Sequence, residues 1–244
     1  MRTVLVTGGS RGLGLAIATR LAASGHDVVA VARRESDALR EAADAARAAE
    51  TGSIRFRAAD LSDIESLPGL VRETRREFGK LHGLVNNAGL GTEGLLATMQ
   101  NPHIEALVRL NTLSPILLTK FVVRGMMADG GGRIVNIASI IAATGYSGLS
   151  VYAATKASLV GLTKSLAREV GHLNITVNAV APGFIDTEMT EGLGEEGRAR
   201  IVRRSALRRL AAPEDVAHAV DYLLGPGGRN VTGTVLTVDA GNTA

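Results

Sequence analysis

The sequence predicts an α/β protein built on a doubly wound parallel sheet of seven strands, with helices on both faces. Three observations predict it. Short β-branched apolar runs alternate with longer stretches of helical pattern along all 244 residues. Seven of those runs read as buried strands, the kind found in parallel sheets. A glycine-rich turn, 7–14, follows the first of them. The connections are short and no composition shift marks a linker, so 1–244 reads as a single domain.

The elements follow in order. R-T-V-L-V-T (2–7) is a strand, and L-G-L-A-I-A-T-R-L-A-A-S-G (13–25) is a helix closed by a glycine. D-V-V-A-V-A (27–32) is the second strand, followed by an Ala/Glu/Arg-rich helix at 36–50 and the strand S-I-R-F-R-A (53–58). A helix near 62–78 leads to L-H-G-L-V-N-N (81–87), and a long helix covers about 102–128. Then come R-I-V-N-I-A-S (133–139), a helix at 150–171 and I-T-V-N-A-V-A (175–181). Helical patterns near 188–205 and 213–224 precede the last strand, T-V-L-T-V-D (234–239).

Composition removes several classes of function. There is no cysteine, so neither disulfides nor thiolate metal sites are available, and the five histidines have no ligand-like spacing. The formal charge of +3 comes from basic residues interleaved with 24 acids, and aromatics make up only 3%. That is too few for base-stacking platforms, so a nucleic-acid partner is not expected. The start M-R-T-V-L-V-T-G-G lacks the apolar core of a signal peptide, and no 18 consecutive residues are apolar. A soluble cytoplasmic protein, without a membrane partner or a metal, is expected.

T-G-G-S-R-G-L-G, Thr7 to Gly14, joins the first strand to the first helix with Gly8, Gly12 and Gly14 spaced G-x-x-x-G-x-G. Small residues let the backbone turn tightly and approach a pyrophosphate, while the helix N-terminus offers N–H groups and the positive dipole end. The spacing differs from a P-loop, which needs G-K-S/T. In dinucleotide folds an acid near the end of strand two binds the adenosine ribose. Here Ala32 stands in that place, followed by Arg33 and Arg34, with Arg11 inside the glycine loop. The missing acid and the gathered arginines favour NADP(H) over NAD(H), because a guanidinium pairs with a 2′-phosphate.

In V-Y-A-A-T-K, Tyr152 and Lys156 lie four apart. On a helix that places a phenol and an ammonium on one face, about 6 Å apart along the axis.

Together these motifs resemble those of the short-chain dehydrogenase/reductases, over essentially the whole chain. The matching residues are T-G-G-S-R-G-L-G (7–14), D-L (60–61), N-N-A-G (86–89), Asn111, Ser139, Y-A-A-T-K (152–156) and P-G-F-I-D-T (182–187). Within the family, S-L-A-R-E-V (165–170) and N-A-V-A-P-G-F-I-D-T-E-M-T (178–190) are most similar to the 3-oxoacyl-(acyl-carrier-protein) reductases. The resemblance implies a Rossmann-like fold and four catalytic residues. Tyr152 would be the acid/base and Ser139 would hydrogen-bond the substrate oxygen. Lys156 would favour the phenolate and hold the nicotinamide ribose, and Asn111 would hold a water that relays protons. It implies cofactor contacts from Gly8, Ser10, Arg11, Gly12, Leu13, Gly14, Arg33, Asp60, Leu61, Asn87, Ala88, Gly89, Pro182, Gly183, Ile185 and Thr187, besides Tyr152 and Lys156. It also implies a lid at about 183–205 and a homotetramer, for which the small residues Ala154, Ser158 and Gly161 offer a helix face.

The reaction these residues point to is NADPH-dependent reduction of a ketone to a secondary alcohol, with a 3-oxoacyl thioester, linked to acyl carrier protein or coenzyme A, as the leading substrate. The alternative is another small alcohol, sugar or steroid-like ketone. The turns 128–132 and 171–174 are basic in the carrier-protein reductases this chain resembles, yet here they hold no arginine or lysine. R-A-R-I-V-R-R-S-A-L-R-R (198–209), by contrast, carries six arginines. A dinucleotide sensor without turnover is disfavoured by the intact Ser139, Tyr152 and Lys156. A serine hydrolase is disfavoured: G-Y-S-G-L (145–149) lacks the second glycine of a G-x-S-x-G nucleophile elbow, and G-G-S-R-G (8–12) belongs to the glycine turn.

Overall fold

Seven strands, β1 (Arg2–Thr7), β2 (His26–Ala32), β3 (Ser53–Ala58), β4 (Leu81–Asn86), β5 (Gly132–Ile137), β6 (Ile175–Pro182) and β7 (Val235–Val238), form one sheet in the order β3-β2-β1-β4-β5-β6-β7. Every pairing is parallel. These come from a computed structural model that describes residues 2–91, 94–185 and 194–244. The helices are α1 (Gly12–Ala23), α2 (Asp37–Ala49), α3 (Leu67–Phe78), α4 (Asn101–Val108), α5 (Ser114–Asp129), α6 (Ser150–Val170), α7 (Gly194–Arg204) and α8 (Pro213–Leu224). The expected strands and helices are present, within a residue or two at most ends. The pattern near 188–205 becomes α7, and its first residues lie outside the described ones.

Successive strand residues point to opposite faces, and each face meets its own helices. Val4, Val6, Val28, Ala30, Val135 and Val180 pack with Ile17 and Leu21 of α1 and Val216 and Val220 of α8. Leu5, Val29, Leu84, Ile134 and Val177 pack with Val71 of α3, Leu118 and Val122 of α5 and Val170 of α6. Burial on both faces is why the strands read as continuous apolar runs.

The long helix expected at 102–128 is interrupted. Residues Arg109–Leu113 form a single π-turn between α4 and α5, and Asn111 sits in it, 1% exposed. An extra residue in a helical turn re-aims side chains, and such turns gather at functional sites. Among the described residues, Asn101–Asp129 is the one helical run long and apolar enough, by length and composition alone, to cross a membrane. In this fold its apolar face is core: Leu107, Leu118, Val122 and Met126 are buried.

The chain lays down β1, β2 and β3 in one direction, then returns to place β4 on the other side of β1. That reversal opens a crevice at the C-terminal ends of β1 and β4, where ligands bind in open α/β sheets.

Candidate active site

The glycine turn closes on itself at this crevice. Gly8 and Gly12 have φ of +67° and +52°, where a side chain is strained. Gly14 is tightly enclosed: a Cβ there would lie 2.1 Å from the Gly8 carbonyl oxygen and 2.6 Å from Asn87 Nδ2. Arg11 precedes α1 in extended backbone and gives the helix no side-chain cap, and the first turn holds no acid. Close backbone with an uncapped positive helix end is the donor set a pyrophosphate needs. These residues fit a dinucleotide.

Two latches hold the turn. Thr7 Oγ1 donates to the Val85 carbonyl at 3.2 Å and accepts from the Asn87 and Ala88 N–H groups at 2.9 and 3.0 Å. Asn87 Nδ2 donates back to the Thr7 carbonyl at 2.9 Å. Ser36, at the start of α2, donates to the Ser10 carbonyl and accepts from the Leu39 N–H. Neither Thr7 nor Ser36 stands out in the sequence as a site residue, although Thr7 opens the glycine motif.

At the ends of β2 and β3, Arg33 and Asp60 come together. The Asp60 carboxylate accepts from the N–H and hydroxyl of Ser62 at 2.9 and 2.7 Å. Those bonds, with a smaller contribution from Arg33, hold it below its ordinary range. Arg33, Arg34 and Arg11 are all exposed at this edge, and Leu61 is buried beside them. Across the crevice, Pro182 ends β6. Gly183 donates to the Val238 carbonyl at 2.9 Å, and Ile185 is buried and bridges to Ala211. Thr187 lies outside the described residues.

Ser139 follows β5 and Tyr152 lies in the first turn of α6, with the Ser139 hydroxyl near enough to the phenol to lower its proton affinity. Ser139 Oγ also accepts from the Ile141 N–H at 3.2 Å. Lys156, one turn along α6, is buried; its Nζ donates to the Ile137 carbonyl at 2.9 Å and lies 5.7 Å from the centre of the Tyr152 ring. Gly89 makes room for this arrangement, because a Cβ there would lie 3.2 Å from Asn111 Oδ1 and 3.5 Å from Lys156 Nζ. Gly89, Asn111, Ser139, Tyr152 and Lys156 therefore share one corner.

Two details bear on the expected roles of Lys156 and Asn111. The phenol of Tyr152 is pushed up by burial, and the Ser139 hydroxyl offsets that only in part. Lys156 is itself desolvated, and its amine is held by the Ile137 carbonyl. Asn111 uses its side chain as a brace. Its Oδ1 accepts from the Leu90 N–H at 2.8 Å, and its Nδ2 donates to the Leu90 carbonyl at 2.9 Å and to Thr155 Oγ1 at 3.2 Å. Both amide hydrogens are engaged, so the side chain holds the 86–90 turn in place.

Burial pushes the Lys156 amine from 10.5 down to about 8. An amine lowered by folding binds fewer protons folded than unfolded across pH 8–10.5, so stability rises with pH there and the full penalty applies below pH 8. Unfolding in denaturant should show a rise on the order of 3 kcal/mol across that window. Lys156→Met should lose the rise. Equal slopes in the two proteins would mean that folding leaves the amine's proton affinity unchanged.

Below the corner runs a buried amide chain. Asn86 Nδ2 donates to Thr119 Oγ1 at 2.9 Å and to Asn136 Oδ1 at 2.8 Å, and Asn136 Nδ2 donates to Thr163 Oγ1 at 2.8 Å. It ties β4 and β5 to α5 and α6. The asparagine inside the apolar run R-I-V-N-I was the available signal for Asn136. Among the described residues, no three His, Asp or Glu side chains gather as a metal site.

Segments after β4, β5 and β6 surround the corner. Gly94 N–H donates to the Gly148 carbonyl at 2.9 Å, and the rings of Tyr146 and Phe184 meet at 5.8 Å. Leu90, Leu95, Leu96 and Leu207 are exposed on these segments. The turns 128–132 and 171–174 instead flank the N-terminal ends of β5 and β6, at the opposite edge of the sheet within the chain.

Residues 2–197 match the family model for short chain dehydrogenases. The chain is 40% identical over 240 residues to the 3-oxoacyl-[acyl-carrier-protein] reductase FabG of Escherichia coli K12, covering 98% of this chain and 96% of that one. It is 37% identical over 240 residues to an acetoacetyl-CoA reductase of Allochromatium vinosum, covering 98% of each. Among solved structures, a blue fluorescent protein from a metagenomic library in complex with NADPH superposes with a TM-score of 0.92 at 35% identity, covering 100% of this chain and 98% of that one. A short chain dehydrogenase from Burkholderia cenocepacia J2315 in complex with NADP does so with 0.92 at 37%, at the same coverage. With the glycine turn, the N-N-A-G turn and the Ser139–Tyr152–Lys156 corner in register, the chain belongs to the short chain dehydrogenase family.

Proposed function

We propose that this protein is an NADPH-dependent reductase that converts a 3-oxoacyl thioester to its 3-hydroxyacyl form. The observation that carries the reading is the gathering of Ser139, Tyr152 and buried Lys156, whose Nζ lies 5.7 Å from the Tyr152 ring centre, at the mouth of the glycine cradle. Bound NADPH supplies the hydride. Ser139 orients the substrate carbonyl and stabilises charge developing on its oxygen. Tyr152 delivers its phenolic proton to that oxygen, and the raised pKa keeps the proton in place until it is needed. Lys156 holds the nicotinamide ribose and offsets charge on the phenolate left behind. Asn111 keeps the 86–90 turn in place, so that Asn87, Ala88 and Gly89 line the cofactor groove with Gly8, Ser10, Gly12, Leu13 and Gly14. Pro182, Gly183 and Ile185 complete the nicotinamide side.

An acyl substrate is supported over a sugar by the apolar rim of Leu90, Leu95, Leu96, Tyr146 and Phe184. The exposed arginines of 198–209, which precede the bridge at Ala211, offer a thioester's phosphorylated carrier an oppositely charged surface. Acyl carrier protein and coenzyme A both carry such a group. The reading also includes a homotetramer in the cytoplasm. Open space beside Gly161 and exposure of Ala154 leave this face of α6 available for a second subunit.

The test is oxidation of NADPH with acetoacetyl-CoA, followed by absorbance, with NADH and simple sugars or steroid ketones in parallel. Turnover should require the thioester. Arg33→Ala should raise KM for NADPH about tenfold, the loss of one charge-assisted phosphate contact, and leave NADH nearly unaffected. Turnover of a sugar or steroid ketone but not of the thioester would move the substrate to the other class. Equal weakening of both cofactors would remove the 2′-phosphate contact.

A further inference from the structure

At the N-terminal edge of the sheet, opposite the catalytic corner, lies a second cleft of about 390 Å³. That is the size of small-molecule sites. Its walls include Arg2, His82, Asp129, Arg133, Asn174 and Arg229, with backbone at 130–132 and 225–226. Three arginines face one space, and the proposed reduction uses none of them. The acid among these residues, Asp129, is committed elsewhere: its two oxygens accept from Arg75 at 2.6 and 3.1 Å. The cleft is therefore positive without an internal counter-charge of its own.

The arginines also crowd one another. Arg133 is pulled below its ordinary value by burial and by the charge of Arg2. Its Nη1 donates to the carbonyls of Gly132 and Asn174 at 2.8 and 3.1 Å, but its Nε–H is buried with no acceptor. Gathered like charges in one cleft are costly, and a bound anion relieves that cost. His82 adds no charge at neutral pH. Burial, with Arg2 and Arg133 nearby, lowers it to about 4, and its Nε2 is 3.3 Å from the Leu224 carbonyl. Glycine shapes the wall. Gly131 has φ of +147°, and a Cβ there would lie 2.7 Å from Asn174 Nδ2.

We propose that this cleft binds a small polyphosphate anion, gripped by Arg2, Arg133 and Arg229. Two or more linked phosphates match both the number of guanidinium groups and a volume well beyond that of a single oxyanion. Free polyphosphate and the phosphate chain of a nucleotide share this chemistry.

The test is calorimetric titration of the full chain with sodium tripolyphosphate at low salt, with orthophosphate and ADP as further arms and NADP⁺ present at saturation. Saturable binding of one tripolyphosphate per chain is expected, with orthophosphate much weaker. Arg2→Ala and Arg229→Ala, both at exposed positions, should each weaken it about tenfold without changing the melting temperature. Arg133→Lys, which keeps the charge and removes the fork, should weaken it as well. Arg203→Ala should leave it unchanged. ADP binding as tightly and losing affinity in the same variants would assign the nucleotide source; tripolyphosphate alone would assign the free one. The proposal is overturned by absence of saturable heat, by orthophosphate binding equally well, or by Arg203→Ala weakening binding as much as Arg229→Ala. The last result would mean diffuse attraction to a basic protein.

Discussion

Tyr152→Phe removes turnover and spares cofactor binding. The substitution deletes one hydroxyl from a half-buried ring and leaves the ring's packing in place. Ser139 keeps its bond from the Ile141 N–H, and Lys156 keeps its bond to Ile137, so the corner does not collapse. What disappears is the proton that must reach the substrate oxygen as hydride arrives. General acid catalysis of this kind is worth roughly 10²–10⁴ in rate. Single-turnover oxidation of NADPH should therefore fall by that factor, while NADPH titration of the variant matches the parent protein. A rate within a few-fold of the parent would mean that another group supplies the proton and that Tyr152 is not the acid.

Gly14→Ala should cost both stability and the cofactor. The new methyl would sit 2.1 Å from the Gly8 carbonyl oxygen, a backbone atom that cannot swing aside. The turn must open, which strains the Asn87 bonds to the Thr7 and Gly8 carbonyls. Overpacking of this kind costs about 3 kcal/mol. Gly12→Ala is the instructive control. Its Cβ meets nothing within 4 Å, but its φ is +52°, so it carries backbone strain alone. That strain is about 1–2 kcal/mol. Denaturant midpoints should fall further for Gly14→Ala, and NADPH affinity should drop with them. Equal losses in the two variants would mean that close approach of Gly8 to Gly14 is not what builds the cradle.

The fold was legible because each strand carries its own signal. Apolar runs on both faces report a parallel sheet wherever they occur, and the alternation with helices gives its winding. The glycine turn and the Tyr152–Lys156 spacing were legible for the same local reason. What was not legible depends on partners distant in the chain. Thr7 and Asn87 are 80 positions apart, and Ser36 reaches back 26 to Ser10. Periodicity says nothing about such pairs. The π-turn at Asn111 was hidden because its side chain is satisfied by Leu90 and Thr155, contacts that exist only once β4 and α6 are in place. The protonation balance at Tyr152 was hidden too, because spacing shows which charges are near and not how far burial discounts them. The catalytic roles themselves came from the family resemblance.

The return of β4 to the far side of β1 has a consequence for how the chain is made. β1 and β2 can pair as soon as the chain reaches residue 32, but Thr7 must wait for Val85, Asn87 and Ala88 before its hydroxyl is satisfied. On the ribosome, the first half of the sheet emerges with its β1 edge unpaired, an apolar template open to wrong partners until residues 81–86 arrive. Long-range parallel pairing of this kind is slow to form. The cofactor edge is therefore among the later parts of the sheet to mature, and nascent chains stalled before β4 should be the ones most in need of chaperones.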